Sequence, residues 1–253
     1  MARFTSRTAL VTGAGSGIGR TVALAFAAEG AQVVVAGRRP EPLTETVRLI
    51  EEQGGKALAV SADVAHAEAA ETLVRAAVEN FGSLDVAVNN AGVFRGGRPI
   101  TDLPEEDWHT QLATNVTGVF LALQAQIRRM RTQPGGGAIV NISSTFGLHT
   151  ASPGAAAYAA TKAAVTALSR GAALDHIRDG VRINVVSPGA TETSMSLRSG
   201  ESEADRAERA RAALPLGRIA TTREIAAAVL YLASDDAASV VGTDLVVDSG
   251  ATL

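Results

Sequence analysis

Short apolar runs rich in Val, Ile and Ala alternate with longer amphipathic or alanine-rich segments along the whole chain. That alternation leaves few folds open. Near-continuous apolar runs of this length suit strands covered on both faces, and strands joined through helical segments pair in parallel. Strands are predicted at 8–12, 32–37, 57–61, 84–89, 138–143, 182–187 and 244–247, and helices at 17–29, 43–53, 67–81, 105–131, 156–177 and 223–233. With no repeat and no linker in sight, residues 1–253 read as one α/β domain, a doubly wound three-layer sandwich on a seven-stranded parallel sheet. The stretches 92–99, 147–154 and 189–217 break the pattern with Gly and mixed polar residues. In open α/β sheets ligands bind beyond the carboxyl ends of the strands, so these loops are expected to line the site. The segment 190–215 is expected to form a loop or helix insertion that covers the substrate.

Composition narrows the chemistry. A net charge of −3 gives no electrostatic reason for nucleic acid or an anionic membrane as partner, which leaves small solutes. The absence of cysteine removes disulfides and thiolate nucleophiles, and His66, His109, His149 and His176 have no metal-ligand spacing, so no metal is expected. The N-terminal residues lack an apolar signal core, and no apolar run approaches the roughly 20 residues needed to span a bilayer. A cytoplasmic protein is expected.

Directly after the first predicted strand comes Thr12-Gly13-Ala14-Gly15-Ser16-Gly17-Ile18-Gly19, opening a helix. Glycines there allow a tight turn, bring backbone close to a pyrophosphate and leave helix N-terminal N–H groups facing the anion. A plain βα turn is the bland alternative. The second strand ends Gly37-Arg38-Arg39, with no carboxylate to accept from an adenosine ribose and two guanidinium groups suited to a 2′-phosphate. This favours NADP(H), with NAD(H) still possible. Arg38 and Arg39 solvating a helix start before Pro40 is the competing explanation.

Tyr158-Ala-Ala-Thr-Lys162 opens a long predicted helix, so both side chains fall on one face. A neighbouring ammonium is expected to bring the phenol down from its usual value near 10, making Tyr158 a general acid/base. Only Lys56 and Lys162 are lysine among 23 basic residues, which makes a chance Tyr–Lys pairing at this spacing unlikely.

These motifs, with Asn89-Asn90-Ala91-Gly92, Asn115, Ser143-Ser144 and Pro188-Gly189-x-x-x-Thr193 in the same order, resemble the short-chain dehydrogenase/reductase family over essentially the whole length. The resemblance implies a Rossmann-type fold and hydride transfer between a nicotinamide and an alcohol or carbonyl carbon. It implies that Tyr158 exchanges a proton with the substrate oxygen, that Lys162 lowers the phenol and holds the nicotinamide ribose, that Ser144 holds the substrate oxygen, and that Asn115 positions a water. On the cofactor side it implies Gly13, Ser16, Gly17, Ile18 and Gly19 at the phosphates, and Asp63 and Val64 at the adenine. Asn90, Ala91 and Gly92 would flank the adenosine, while Pro188, Gly189, Thr191 and Thr193 would orient the carboxamide. A homotetramer or homodimer is implied as well.

Ser143 and Ser144 compete, because alternation lets only one face the site; Ser144 is preferred. Phe94, His149 and Arg95 are candidate substrate contacts, with His149 read as a pocket wall before a catalyst; Trp108 and Phe120 read as core or interface. The leading expectation is an oxidoreductase acting on a secondary alcohol/ketone pair. A 3-oxoacyl-thioester reductase is the alternative, with Arg128, Arg129 and Arg131 to dock an acidic carrier but Asp179 poorly placed for it. A non-catalytic dinucleotide sensor would not need Tyr158, Lys162, Ser144 and Asn115.

Overall fold

A computed structural model describes residues 2–198 and 200–253. The strands are β1 (Thr8–Thr12), β2 (Gln32–Gly37), β3 (Lys56–Ser61), β4 (Val86–Asn89), β5 (Gly137–Ile142), β6 (Val181–Pro188) and β7 (Asp244–Val247). All pair in parallel in the order β3-β2-β1-β4-β5-β6-β7, the doubly wound sheet read from the alternating pattern. Chain direction across the sheet reverses between β1 and β4. That switch point opens a crevice at the carboxyl edge.

One face carries α1 (Gly17–Ala28), α2 (Pro40–Glu51) and, from the far end of the chain, α9 (Thr222–Ala233). Phe26, Leu43, Ile50, Ile225 and Val229 pack there on Val11, Val33, Val35, Val88 and Val140. The other face carries α3 (Ala67–Phe81), α5 (Gly118–Met130) and α7 (Ala156–His176), where Leu73, Leu123 and Val165 meet Leu10, Val34, Ile139 and Ile183. Strand residues thus bury both faces, which explains why the runs lack a polar alternation.

The single helix expected over 105–131 is broken. It divides into α4 (Glu105–Gln111), a π-helical turn (Leu112–Thr117) and α5, with the Gly118 N–H donating to Ala113 O, five residues back. Apolar spacing does not register one inserted residue, and π turns gather at functional sites. Between β5 and α7 lies a distorted single turn, α6 (Thr145–Leu148). Within 189–217, a short 3₁₀ turn (Ser194–Ser196) precedes α8 (Glu203–Ala213), which Ser202 and Asp205 close with a reciprocal capping box. Among the described residues no helix is long and apolar enough to cross a membrane.

Candidate active site

The turn after β1 is held by backbone packed on backbone. Gly13 and Gly17 have φ of 65° and 51°, where other residues are strained. A Cβ on Gly19 would overlap the Gly13 carbonyl oxygen, and one on Gly13 would stand 2.7 Å from Asn90 Nδ2. Asn90 Nδ2 donates to Thr12 O at 2.9 Å, while the Asn90 and Ala91 N–H groups donate to Thr12 Oγ1 at 3.0 and 3.1 Å. Behind the turn, Thr46 Oγ1 donates to Ala14 O and Arg20 Nη2 to Gly15 O. With those carbonyls drawn back, the N–H groups at the start of α1 are left for an anion, and the exposed Ser16 hydroxyl caps none of them. This geometry fits a dinucleotide diphosphate.

At the end of β2, Arg38 and Arg39 are exposed, and among the described residues neither guanidinium makes a hydrogen bond or ion pair. Arg39 stands at the N-cap of α2, where the helix dipole disfavours a cation. The edge residues Asp63 and Val64 follow β3. Asp63 Oδ1 accepts from Ala65 N at 3.1 Å, and Val64 covers Gly118 so closely that a Cβ there would stand 3.0 Å from Val64 O.

Tyr158 is the third residue of α7 and Lys162 lies one turn on, with Nζ 5.6 Å from the Tyr158 ring centroid. Lys162 is 4% exposed and its Nζ donates to Ile142 O at 2.8 Å. Burial pushes the Tyr158 phenol up to about 12, opposed by a hydrogen bond with Ser144, and pushes Lys162 down to about 8. The expected lowering of Tyr158 by Lys162 is therefore corrected: burial raises the phenol, and the group that opposes the rise is Ser144. Ser143 is turned away, donating to Lys162 O at 2.8 Å and accepting from Thr166 Oγ1 at 3.1 Å. Ser144 stands at the loop, capping α6 by accepting from Phe146 N.

Asn115 reaches the same place through the π turn. Both N–H donors of its amide are used, to Val93 O at 2.9 Å and Thr161 Oγ1 at 3.1 Å, and its Oδ1 accepts from Val93 N at 2.8 Å. Gly92 lies under it: a Cβ there would come 3.4 Å from Asn115 Oδ1 and 3.5 Å from Lys162 Nζ. Beside them, the Phe94 ring meets Tyr158 edge-on at 5.2 Å between centroids. Arg95, by contrast, turns toward Asp107, 4.0 Å away. The loops 92–99 and 147–154 are joined by Gly97 N donating to Gly154 O.

On the far side, Gly189 is pressed against Asp248, where a Cβ would stand 2.6 Å from Asp248 Cβ, and its N–H donates to Val247 O. Thr191 Oγ1 donates to Gly189 O, and Thr193 packs on Gly17, with Cγ2 3.2 Å from a Cβ built there. Pro188, the last residue of β6, thus carries the loop from the sheet to the phosphate turn.

Three further residues escape the sequence reading. Gln111, fully buried immediately before the π segment and one turn before Asn115, exchanges two hydrogen bonds with the Arg95 backbone, as Asn115 does with Val93. Asp244 has a side chain 2% exposed and accepts from Ser187 Oγ at 2.6 Å; the ring of His149 approaches it at 2.9 Å through Nε2. Arg206 of α8 donates to Thr193 O. The polar spacing of Gln111 to Asn115 carried a signal, whereas the other two are contacts across the fold that no local pattern announces.

Comparison with known proteins agrees with this fold. A family model described as "Enoyl-(Acyl carrier protein) reductase" matches residues 13–252. A cis-4-hydroxycyclohexanecarboxylate dehydrogenase from Sinomonas cyclohexanicum is 39% identical, covering 98% of either chain. A carveol dehydrogenase from Mycobacterium avium, solved in complex with NAD, superposes with a TM-score of 0.94 at 29% identity, over 99% of each chain. A short chain dehydrogenase from Burkholderia cenocepacia, solved with NADP, gives 0.90 at 34% identity, over 99% of this chain and 100% of that one.

Proposed function

Because this chain belongs to the short-chain dehydrogenase/reductase family, we propose that it transfers a hydride between NADP(H) and the ketone/secondary-alcohol pair of an apolar ring compound. The observation that carries this reading is the stack of Lys162, Tyr158 and Phe94 at the mouth of the crevice, with Ser144 on the phenol. The dinucleotide, bound at the glycine turn, supplies the hydride. Ser144 holds the carbonyl oxygen, and Tyr158, protonated across the neutral range, gives its proton to that oxygen as the carbon is reduced. Lys162 stabilises the phenolate left behind. Asn115 keeps Gly92 and the Val93 backbone against that pair. A water positioned from Asn115 would have to use acceptor atoms, since its amide donors are taken.

NADP(H) is favoured over NAD(H) because two guanidinium groups without a partner among the described residues stand at a helix N-terminus, an arrangement a 2′-phosphate would offset. The ring substrate follows from the apolar rim, where Phe94, Leu148 and Met195 are 37%, 51% and 52% exposed, and from the ring alcohol named for the Sinomonas relative. Docking of an acidic carrier is less favoured. Arg128 is already paired with Glu71 and Arg129 donates to Gly82 O. Phe120 of α5 and Leu174 of α7, 44% and 80% exposed on one face of the sheet, suit burial between subunits of a homotetramer or homodimer. Following NADPH oxidation over cyclohexanones, open-chain ketones, sugars and acyl thioesters tests the reading. Turnover confined to thioesters would replace it with the carrier-dependent alternative, and no turnover on any would favour a sensor.

A further inference from the structure

Helix α8 carries three arginines, of which Arg209 and Arg211 have acids and Arg206, among the described residues, has none. Arg209 pairs with Glu201 through Nε and Nη2 at 2.6 and 2.8 Å and also donates to Ser196 O. Arg206 is more deeply placed, only 9% exposed. Its Nη1 reaches two neutral oxygens, Thr193 O and Ser196 Oγ, both at 3.1 Å. Among the described residues no carboxylate comes within 4.0 Å of it. A buried lysine can escape its cost by losing a proton, as Lys162 tends to; a guanidinium cannot. It stays charged. Neutral acceptors only partly replace the water it gave up, so the site favours an anion nearby.

The position of Arg206 says which anion. The carbonyl it grips belongs to Thr193, and the Thr193 side chain rests on Gly17, the first residue of α1. Across Thr193 lies the positive end of α1, whose N–H groups Ser16 leaves uncapped. Two positive features therefore face each other over one residue. We propose that Arg206 is a positioning residue whose charge strengthens the hold of the α1 N-terminus on the cofactor's diphosphate across Thr193. This rests on the dinucleotide-dependent function proposed above and adds to it a cation on the covering helix.

The test compares Arg206→Lys, Arg206→Gln and Arg206→Ala with the wild type, titrating NADPH by its fluorescence and adenosine 2′-monophosphate, which lacks the diphosphate, by calorimetry. Thermal melting of each chain alone checks folding. Loss of the charge is expected to weaken NADPH about tenfold in the Gln and Ala variants, Lys is expected to stay within about threefold of wild type, and rising salt is expected to narrow the gap. Adenosine 2′-monophosphate should bind all four alike. Gln binding NADPH as tightly as wild type, Lys binding as weakly as Gln, or equal losses for both ligands would each overturn the proposal. A wild-type chain that binds neither NADPH nor NADH overturns the functional reading, and the inference with it. Tight wild-type binding with indifferent variants overturns the inference alone.

Discussion

The Lys162 ammonium sits over the Tyr158 ring, 5.6 Å from its centroid, and spends its hydrogen bond on the Ile142 carbonyl. Lys162 thus meets Tyr158 at the ring, with its hydrogen bond made to the backbone of β5. Burial drives the two groups in opposite directions, Tyr158 up to about 12 and Lys162 down to about 8. Near neutral pH the phenol is protonated and most of the ammonium is charged, the pairing that the proposed ketone reduction requires.

Tyr158→Phe keeps the ring against Phe94 and Lys162 but removes the proton. Ketone reduction is expected to fall by at least about a hundredfold while NADPH binds within about twofold of wild type. Steady-state rates and a fluorescence titration check this, and retained turnover would refute the assigned acid.

Lys162→Met should make a more stable and inactive protein. The folded value near 8 lies below the ordinary 10.5, so between those values the unfolded chain binds more protons and wild-type stability rises with pH. The burial penalty is complete below pH 8. Removing it, and setting the lost Ile142 bond against the gain, leaves about 2 kcal/mol of added stability at neutral pH. Urea melts at pH 7 and above pH 10 should show that advantage shrinking as the wild-type ammonium deprotonates.

Arg38→Ala is expected to weaken NADPH about tenfold and NADH hardly at all, since only NADPH carries the 2′-phosphate. Paired titrations with both cofactors decide it; equal losses would mean that the end of β2 does not read the ribose.

Much of this was legible before any coordinate. The apolar runs announce the strands because the five inner ones, β2, β1, β4, β5 and β6, are buried on both faces, and the glycine turn is visible because backbone packed on backbone tolerates nothing larger. Placing Ser144 at the loop was also within reach, since alternation turns Ser143 inward. The π turn at Asn115 was not, because one extra residue barely disturbs the spacing of apolar positions. The direction of the Tyr158 shift was missed for another reason: spacing reveals a neighbouring charge but not how much water burial removes. Asp244 and Arg206 meet partners far from them in sequence or on another element, which only the assembled fold brings close.

His149→Ala cuts the tie between the loop that carries Ser144 and the Asp244 carboxylate, which also holds Ser187 beside Pro188. The KM for a ring ketone is expected to rise about tenfold, with kcat and the NADPH affinity changed by less than about threefold. His149→Gln, still able to donate to Asp244, should recover much of the loss, which simple damage to the loop would not allow.

Leu174→Glu places a charge on the most exposed apolar side chain of α7. Sedimentation is expected to show a homotetramer or homodimer for the wild type and a smaller species for the variant. A monomeric wild type would refute the proposed assembly.

The glycine turn and the arginine edge differ in how freely each can change. Gly13 and Gly19 are locked against Asn90 and against one another, so almost any replacement there damages the seat itself. Arg38 and Arg39 are exposed, and among the described residues their guanidinium groups hold no neighbour. If the proposed cofactor reading holds, descendants of this sequence can trade one nicotinamide currency for the other by one or two surface substitutions at little risk to folding, while the glycine turn passes on unaltered.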